Sequence, residues 1–123
     1  MGLFDELLGS ASEMHPGDVE QEFGDFLIEN EHVEKTFKLL RDLLIFTNKR
    51  LLIIDKQGFS GKKMELRTVP YSSIKSFSVE NAGRFDIDAE LKLYVAAAPP
   101  LAFLLDKKTD IKHLNAILSN AIL

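Results

Sequence analysis

Residues 42–55 read DLLIFTNKRLLIID, two four-residue apolar runs separated by Thr47, Asn48, Lys49 and Arg50. Runs this short, bounded by turn residues, are strands rather than helices. Asparagine is one of the few residues besides glycine that tolerate positive φ, so Asn48-Lys49 is expected at the centre of a tight hairpin turn. Lys49 and Arg50 then stand near its apex, in solvent. The runs do not alternate with polar residues, so both faces of the hairpin need cover. One face meets a core, and the other must be hidden by an extra helix or by another subunit. At about 25 cal/mol per Å² of apolar surface, burying ~400 Å² is worth on the order of 10 kcal/mol before ordering costs. Leu43, Ile45, Leu52 and Ile54 are the candidates for that outer face and hence for contact with a partner.

Charge is divided unevenly along the chain. Residues 1–34 hold ten acidic residues and no lysine or arginine, while the rest holds all fifteen basic residues against nine acidic ones, a formal charge of +6. An acidic arm on a basic body can lie on its own domain or on a neighbouring copy, and either masks the surface that a phosphate would find. A net charge of −4 with such an arm argues against nucleic-acid binding. Cysteine is absent, which removes disulfides and thiolate chemistry and fits a cytoplasmic protein. The apolar stretch 3–8 is broken by Asp5 and Glu6 with no basic residue before it, unlike a signal peptide. No apolar run approaches the ~20 residues of a membrane-spanning helix.

Leu3, Phe4, Leu7, Leu8 and Ala11 recur at helical spacing, so residues 2–13 are expected to form an amphipathic helix that needs a partner surface. Its polar face carries carboxylates where a membrane-bound helix carries lysine or arginine, so protein is the expected partner. After the turn at His15-Pro16-Gly17, Asp18 is expected to cap a second short helix over 19–26. Strands are expected over 33–40, 43–47, 50–55, 62–69, 74–81, 87–96 and 101–106. A closing helix follows Thr109-Asp110, with Ile111, Leu114, Ile117, Leu118, Ala121 and Ile122 on one stripe. Seven antiparallel strands and one closing helix make a mainly β domain, a bent sandwich or partly open barrel. Residues 1–28 are set apart as an acidic amphipathic helical extension, and 29–123 as the domain proper.

From about residue 29 onward the chain resembles the bacterial pleckstrin-homology-like (PH-like) domains, relatives of the PH and GRAM modules. The resemblance is carried by "RDLLIFTNKRLLIIDKQGFSGKK", "VPYSSIKSF" and "NAGRFDIDAELKLYV". It implies a seven-stranded, strongly bent β-sandwich closed by a C-terminal helix, in a family generally non-enzymatic and prone to form homo-oligomeric rings. A phosphoinositide-binding PH domain sets several lysines and arginines around its first strand-strand loop. Here that loop is Leu40-Arg41-Asp42, short and singly basic, so headgroup binding does not carry over. Lys35, Lys38, Arg41, Lys49 and Arg50 remain candidates for a weak anion site.

Asp86, Asp88 and Glu90 alternate along one expected strand and put three carboxylates on one face. A flat strand cannot wrap a hard cation, and the alternation is explained by a core face opposite, so a metal-assisted hydrolase is the remote alternative. His15, His32 and His113 show no metal-site spacing, and Ser72 and Ser73 lack a nucleophile frame and suit a turn. The expected function is a non-catalytic interaction or scaffold module with no cofactor, metal or small-molecule substrate. Its partners are copies of itself and an unidentified protein, joined through Leu3, Phe4, Leu7 and Leu8 and through Leu43, Ile45, Leu52 and Ile54. A peripheral membrane or anion-binding module working through Lys49 and Arg50 is the alternative.

Overall fold

The pairing register of residues 42–55 settles which apolar side chains face which way. In the computed structural model, which describes residues 13–14, 16–39, 42–57, 63–81, 89–105 and 109–123, strand β3 (Asp42–Thr47) pairs antiparallel with β4 (Arg50–Gln57). Leu44 lies opposite Ile53 and Phe46 opposite Leu51, while Leu43 lies opposite Ile54 and Ile45 opposite Leu52. Since directly opposed residues share a face, the two apolar runs supply one inner and one outer stripe. Each stripe belongs to a different core cluster.

The remaining elements, in chain order, are β1 (Glu13–Met14), α1 (Pro16–Phe23), a 3₁₀ turn (Gly24–Phe26), β2 (Val33–Lys38), β5 (Lys63–Pro70), a 3₁₀ turn (Tyr71–Ser73), β6 (Ile74–Asn81), β7 (Ala89–Val95), β8 (Leu101–Leu105) and α2 (Ile111–Ile122). Strands β1 to β5 form one antiparallel sheet in sequence order, and β6 to β8 form the other. All seven expected strands are present, with ends shifted by no more than two residues. The sheets do not close into a barrel, because no ladder joins β5 to β8 or β2 to β6 among the described residues.

Between the sheets lies the inner core, with Leu44, Phe46, Leu51 and Ile53 from the hairpin, Leu91, Leu93, Phe103 and Leu105 from the second sheet, and Leu114 and Leu118 from α2. Phe37 anchors it, edge-on to Phe46 at 6.0 Å and to the His113 ring at 5.7 Å. Helix α2 starts as its sequence indicates, with the Asp110 carboxylate accepting the His113 N–H at 3.1 Å. Its stripe is narrower than expected, because Ile111 is exposed while Ile117 and Ile122 pack only partly.

The outer face of the hairpin is covered from within the chain. Val19 and Phe23 of α1, with Leu27 and Leu66 at the margins, lie over Leu43, Ile45, Leu52 and Ile54, all four of which have no exposed surface. Burial of this kind stabilises by roughly 1.5–3 kcal/mol per side chain. Helix α1 begins at Pro16, not after Asp18, because proline at the first helical position has no N–H to waste. Asp18 sits in its first turn, and at Gly24 the coil tightens to 3₁₀. The expected helix over 2–13 falls outside the described residues except at its end, where Glu13 and Met14 are strand and pair with Phe37 and Thr36. Among the described residues no helix is long and apolar enough to cross a membrane.

Candidate functional site

The tip of the β3–β4 hairpin is closed by a side chain. Thr47 Oγ1 accepts the N–H of Lys49 at 3.1 Å and of Arg50 at 3.0 Å, so the turn needs no left-handed residue. Non-glycine residues with positive φ are Asn30 (63°) and Ala97 (58°) among the described ones, which corrects the expectation for Asn48. Asn48 instead ties the tip to the chain entering β2. Its Oδ1 accepts the His32 N–H at 2.7 Å and its Nδ2 donates to the Asn30 carbonyl at 2.9 Å, while its backbone N–H donates to the His32 carbonyl at 3.1 Å.

Arg50 is turned inward along the same seam. Nε donates to Glu31 Oε2 at 2.9 Å and Nη2 to Oε1 at 3.0 Å, a two-pronged grip on the carboxylate. Nη2 also donates to the Phe26 carbonyl at 2.6 Å, and Nη1 to Thr68 Oγ1 at 2.9 Å. Glu31 further accepts from Thr47 Oγ1 at 2.6 Å and from the Ile28 N–H at 2.9 Å. Its side chain has no exposed surface, and that of Arg50 keeps 18%. Burial works to raise the Glu31 pKa, but hydrogen bonds from Arg50, Thr47 and Ile28 and the Arg50 charge outweigh it. They hold the carboxyl at about 2 against an ordinary 4.5. Tyr71 completes the cluster by donating to the Thr47 carbonyl. Burial, aided by the charges of Glu34 and Glu31, pushes its phenol well above the usual range despite that bond.

Of the other candidate positions, Lys35 shares a recess with Thr47, Asn48 and Tyr71 of this cluster. Lys49 is exposed at the tip. Lys35 lies opposite Phe46 and Lys38 opposite Leu43, three residues and so about 10 Å apart along β2. Arg41, Leu3, Phe4, Leu7, Leu8, Asp86 and Asp88 lie outside the described residues. Glu90 is on β7, where its carboxylate is 3.7 Å from Lys92 Nζ. Among the described residues no three His, Asp or Glu side chains gather in a way that could hold a metal ion. Ser73 serves its turn, donating to the Pro70 carbonyl at 2.8 Å.

Comparison with known proteins matches the bacterial PH domain family over residues 2–122 of this chain. The chain belongs to the bacterial PH domain family. The uncharacterized protein YjqA of Bacillus subtilis is 53% identical over 98 residues, 80% of this chain and 78% of that protein. Among solved structures, a PH domain from Shewanella amazonensis superposes with a TM-score of 0.82 at 41% identity, covering 99% of each chain. A DUF1696-family protein with a pleckstrin-homology domain from Shewanella loihica gives 0.80 at 42%, covering 93% of this chain and 98% of that one.

Within this bacterial PH domain, the cleft between β3–β5 and the start of β8 is lined in a way that disfavours anions. Its volume is about 330 Å³, and Asp42, Asp55 and Glu65 stand side by side across β3, β4 and β5 with Arg67 along its wall. Like charges in register oppose one another, and Arg67 approaches Glu65 only at 3.7 Å, with both half-exposed. Sequence reasoning missed Glu31 and the exposed Phe26 and Ile28. Glu31 sits in an acidic run where nothing singles it out. Phe26 follows Val19 and Phe23 at helical spacing, which reads it as buried, but the coil tightens to 3₁₀ at Gly24 and that period is broken.

Proposed function

We propose that this chain is a non-catalytic PH-like interaction and scaffold module that self-assembles into a homo-oligomer and binds protein partners in the cytoplasm. The observation that carries this reading is the grip of Arg50 on Glu31 at 2.9 and 3.0 Å. The hairpin tip that most suggested anion capture spends its guanidinium inside the fold. Beside it, Phe26 and Ile28 stand 48% and 58% exposed, which is how a contact surface looks rather than a headgroup site. Opposed charge on residues 1–34 and on the remainder favours orientation between copies more than affinity. Head-to-tail use of two different patches closes a ring where the rotation permits.

Chemical cross-linking of the full chain over a dilution series tests this. A ladder ending at one discrete oligomer supports the reading, and bands that vanish on modest dilution count against it. Co-sedimentation with anionic vesicles, abolished by Lys49→Glu, would favour the anion-binding alternative instead.

A further inference from the structure

Two apolar side chains left half-bare sit two residues apart, Phe26 at 48% and Ile28 at 58% exposure, while Leu27 between them packs on the outer core. The backbone beneath them is fixed. Leu27 N–H donates to the Gly24 carbonyl at 3.1 Å and Glu31 N–H to the Ile28 carbonyl at 3.1 Å. The Phe26 carbonyl is held by Arg50 at 2.6 Å and the Ile28 N–H by Glu31 at 2.9 Å. Side chains on a backbone ordered before contact lose little freedom on binding, which lets a few apolar anchors dominate an interface. Phe26 and Ile28 therefore form a preformed knob.

Charge indicates what meets it. Asp25 and Glu29 flank the knob, exposed, within a segment of ten carboxylates and no basic residue, whereas the rest of the chain carries +6. A fitting surface is apolar with a basic rim. The chain itself has a recess of about 230 Å³ between β5 and the β7–β8 turn, where Val69, Pro70, Ala96 and Leu101 meet Thr68, Ser73 and a single cation, Arg67. The 3.7 Å approach of Arg67 to Glu65 is between two exposed groups and competes weakly with a new partner.

We propose that Phe26 and Ile28 seat in this recess of a second copy of the chain, with Asp25 and Glu29 against Arg67, and that this contact joins the protomers. It rests on the self-assembly reading above and names its surface. The test is gel filtration with light scattering on the full chain, on Phe26→Ser/Ile28→Ser, and on Ala96→Glu, which fills the recess and repels the knob's carboxylates. Wild type is expected to be oligomeric, and each variant to associate at least about tenfold more weakly. Both should keep the far-UV circular dichroism of wild type, since the altered side chains are exposed on the protomer. Mixing the two variants is expected to restore an equimolar pair, because each keeps the half that the other lacks. Should the knob variant fail to fold, Asp25→Lys/Glu29→Lys carries the same expectation of weakened association. Variants that assemble like wild type overturn the knob and leave self-assembly standing. A wild-type chain that stays monomeric across the micromolar range overturns the self-assembly reading and the knob with it.

Discussion

Replacing Glu31 by glutamine keeps the shape of the side chain and removes its charge, so it isolates what the carboxylate does at the hairpin tip. The folded chain holds this carboxyl at about 2, against 4.5 for an ordinary glutamate. A group whose folded pKa is depressed contributes its full stability above the unfolded value and loses it as pH falls through the folded one. The contribution should therefore be complete at neutral pH and decline between 4.5 and about 2. At about 1.4 kcal/mol per pKa unit, the gap corresponds to roughly 3 kcal/mol. No solvent discount applies to a side chain with 0% exposure gripped by an arginine with 18%. Urea unfolding followed by circular dichroism, run in steps from neutral pH to about 2, compares wild type with Glu31→Gln. The difference in unfolding free energy should be about 3 kcal/mol at neutral pH and shrink towards zero at the acid end. A difference that stays constant across that range, or a Glu31 carboxyl titrating near 4.5 by carbon NMR, would refute the internal clasp.

The two cations of the hairpin tip should behave oppositely. Arg50→Ala strands a buried carboxylate and should cost about 3–5 kcal/mol, whereas Lys49→Ala, at an exposed position, should stay within about 0.5 kcal/mol; chemical denaturation reads both. Phe23→Ala opens a hole over Leu43 and Ile45, with an expected cost of about 3–5 kcal/mol and a rise in dye binding to exposed apolar surface near the midpoint. Ala97 holds φ at 58°, a left-handed conformation costing a side-chain-bearing residue roughly 1–2 kcal/mol, so Ala97→Gly should raise the melting temperature.

Most of the fold was legible because period and turn chemistry are local properties. The double apolar run of 43–54 demanded cover on both faces, and the register Leu43 to Ile54 and Leu44 to Ile53 shows why. Asp110 announced α2 through a cap that the structure contains. What remained hidden depends on residues distant in sequence. Glu31 meets Thr47 and Arg50 across 16 and 19 positions, and no spacing rule joins an acidic run to a turn that far away. Cover for the outer face was expected from the first amphipathic segment or from a neighbouring copy. Val19 and Phe23 provide it within the chain, from a helix too short and too polar for its two inward positions to stand out. Leu43, Ile45, Leu52 and Ile54, being wholly buried, can touch a second copy only if α1 lifts or is exchanged. An interface among the described residues uses others.

Sedimentation velocity of the unmodified chain over a concentration series asks most directly whether this PH domain works through contact with its own kind. A single fast boundary that persists from high to low micromolar concentration, and slows when Phe26 and Ile28 are replaced by serine, is the predicted result. A boundary at the sedimentation rate of one 13.9 kDa chain at every concentration would contradict it.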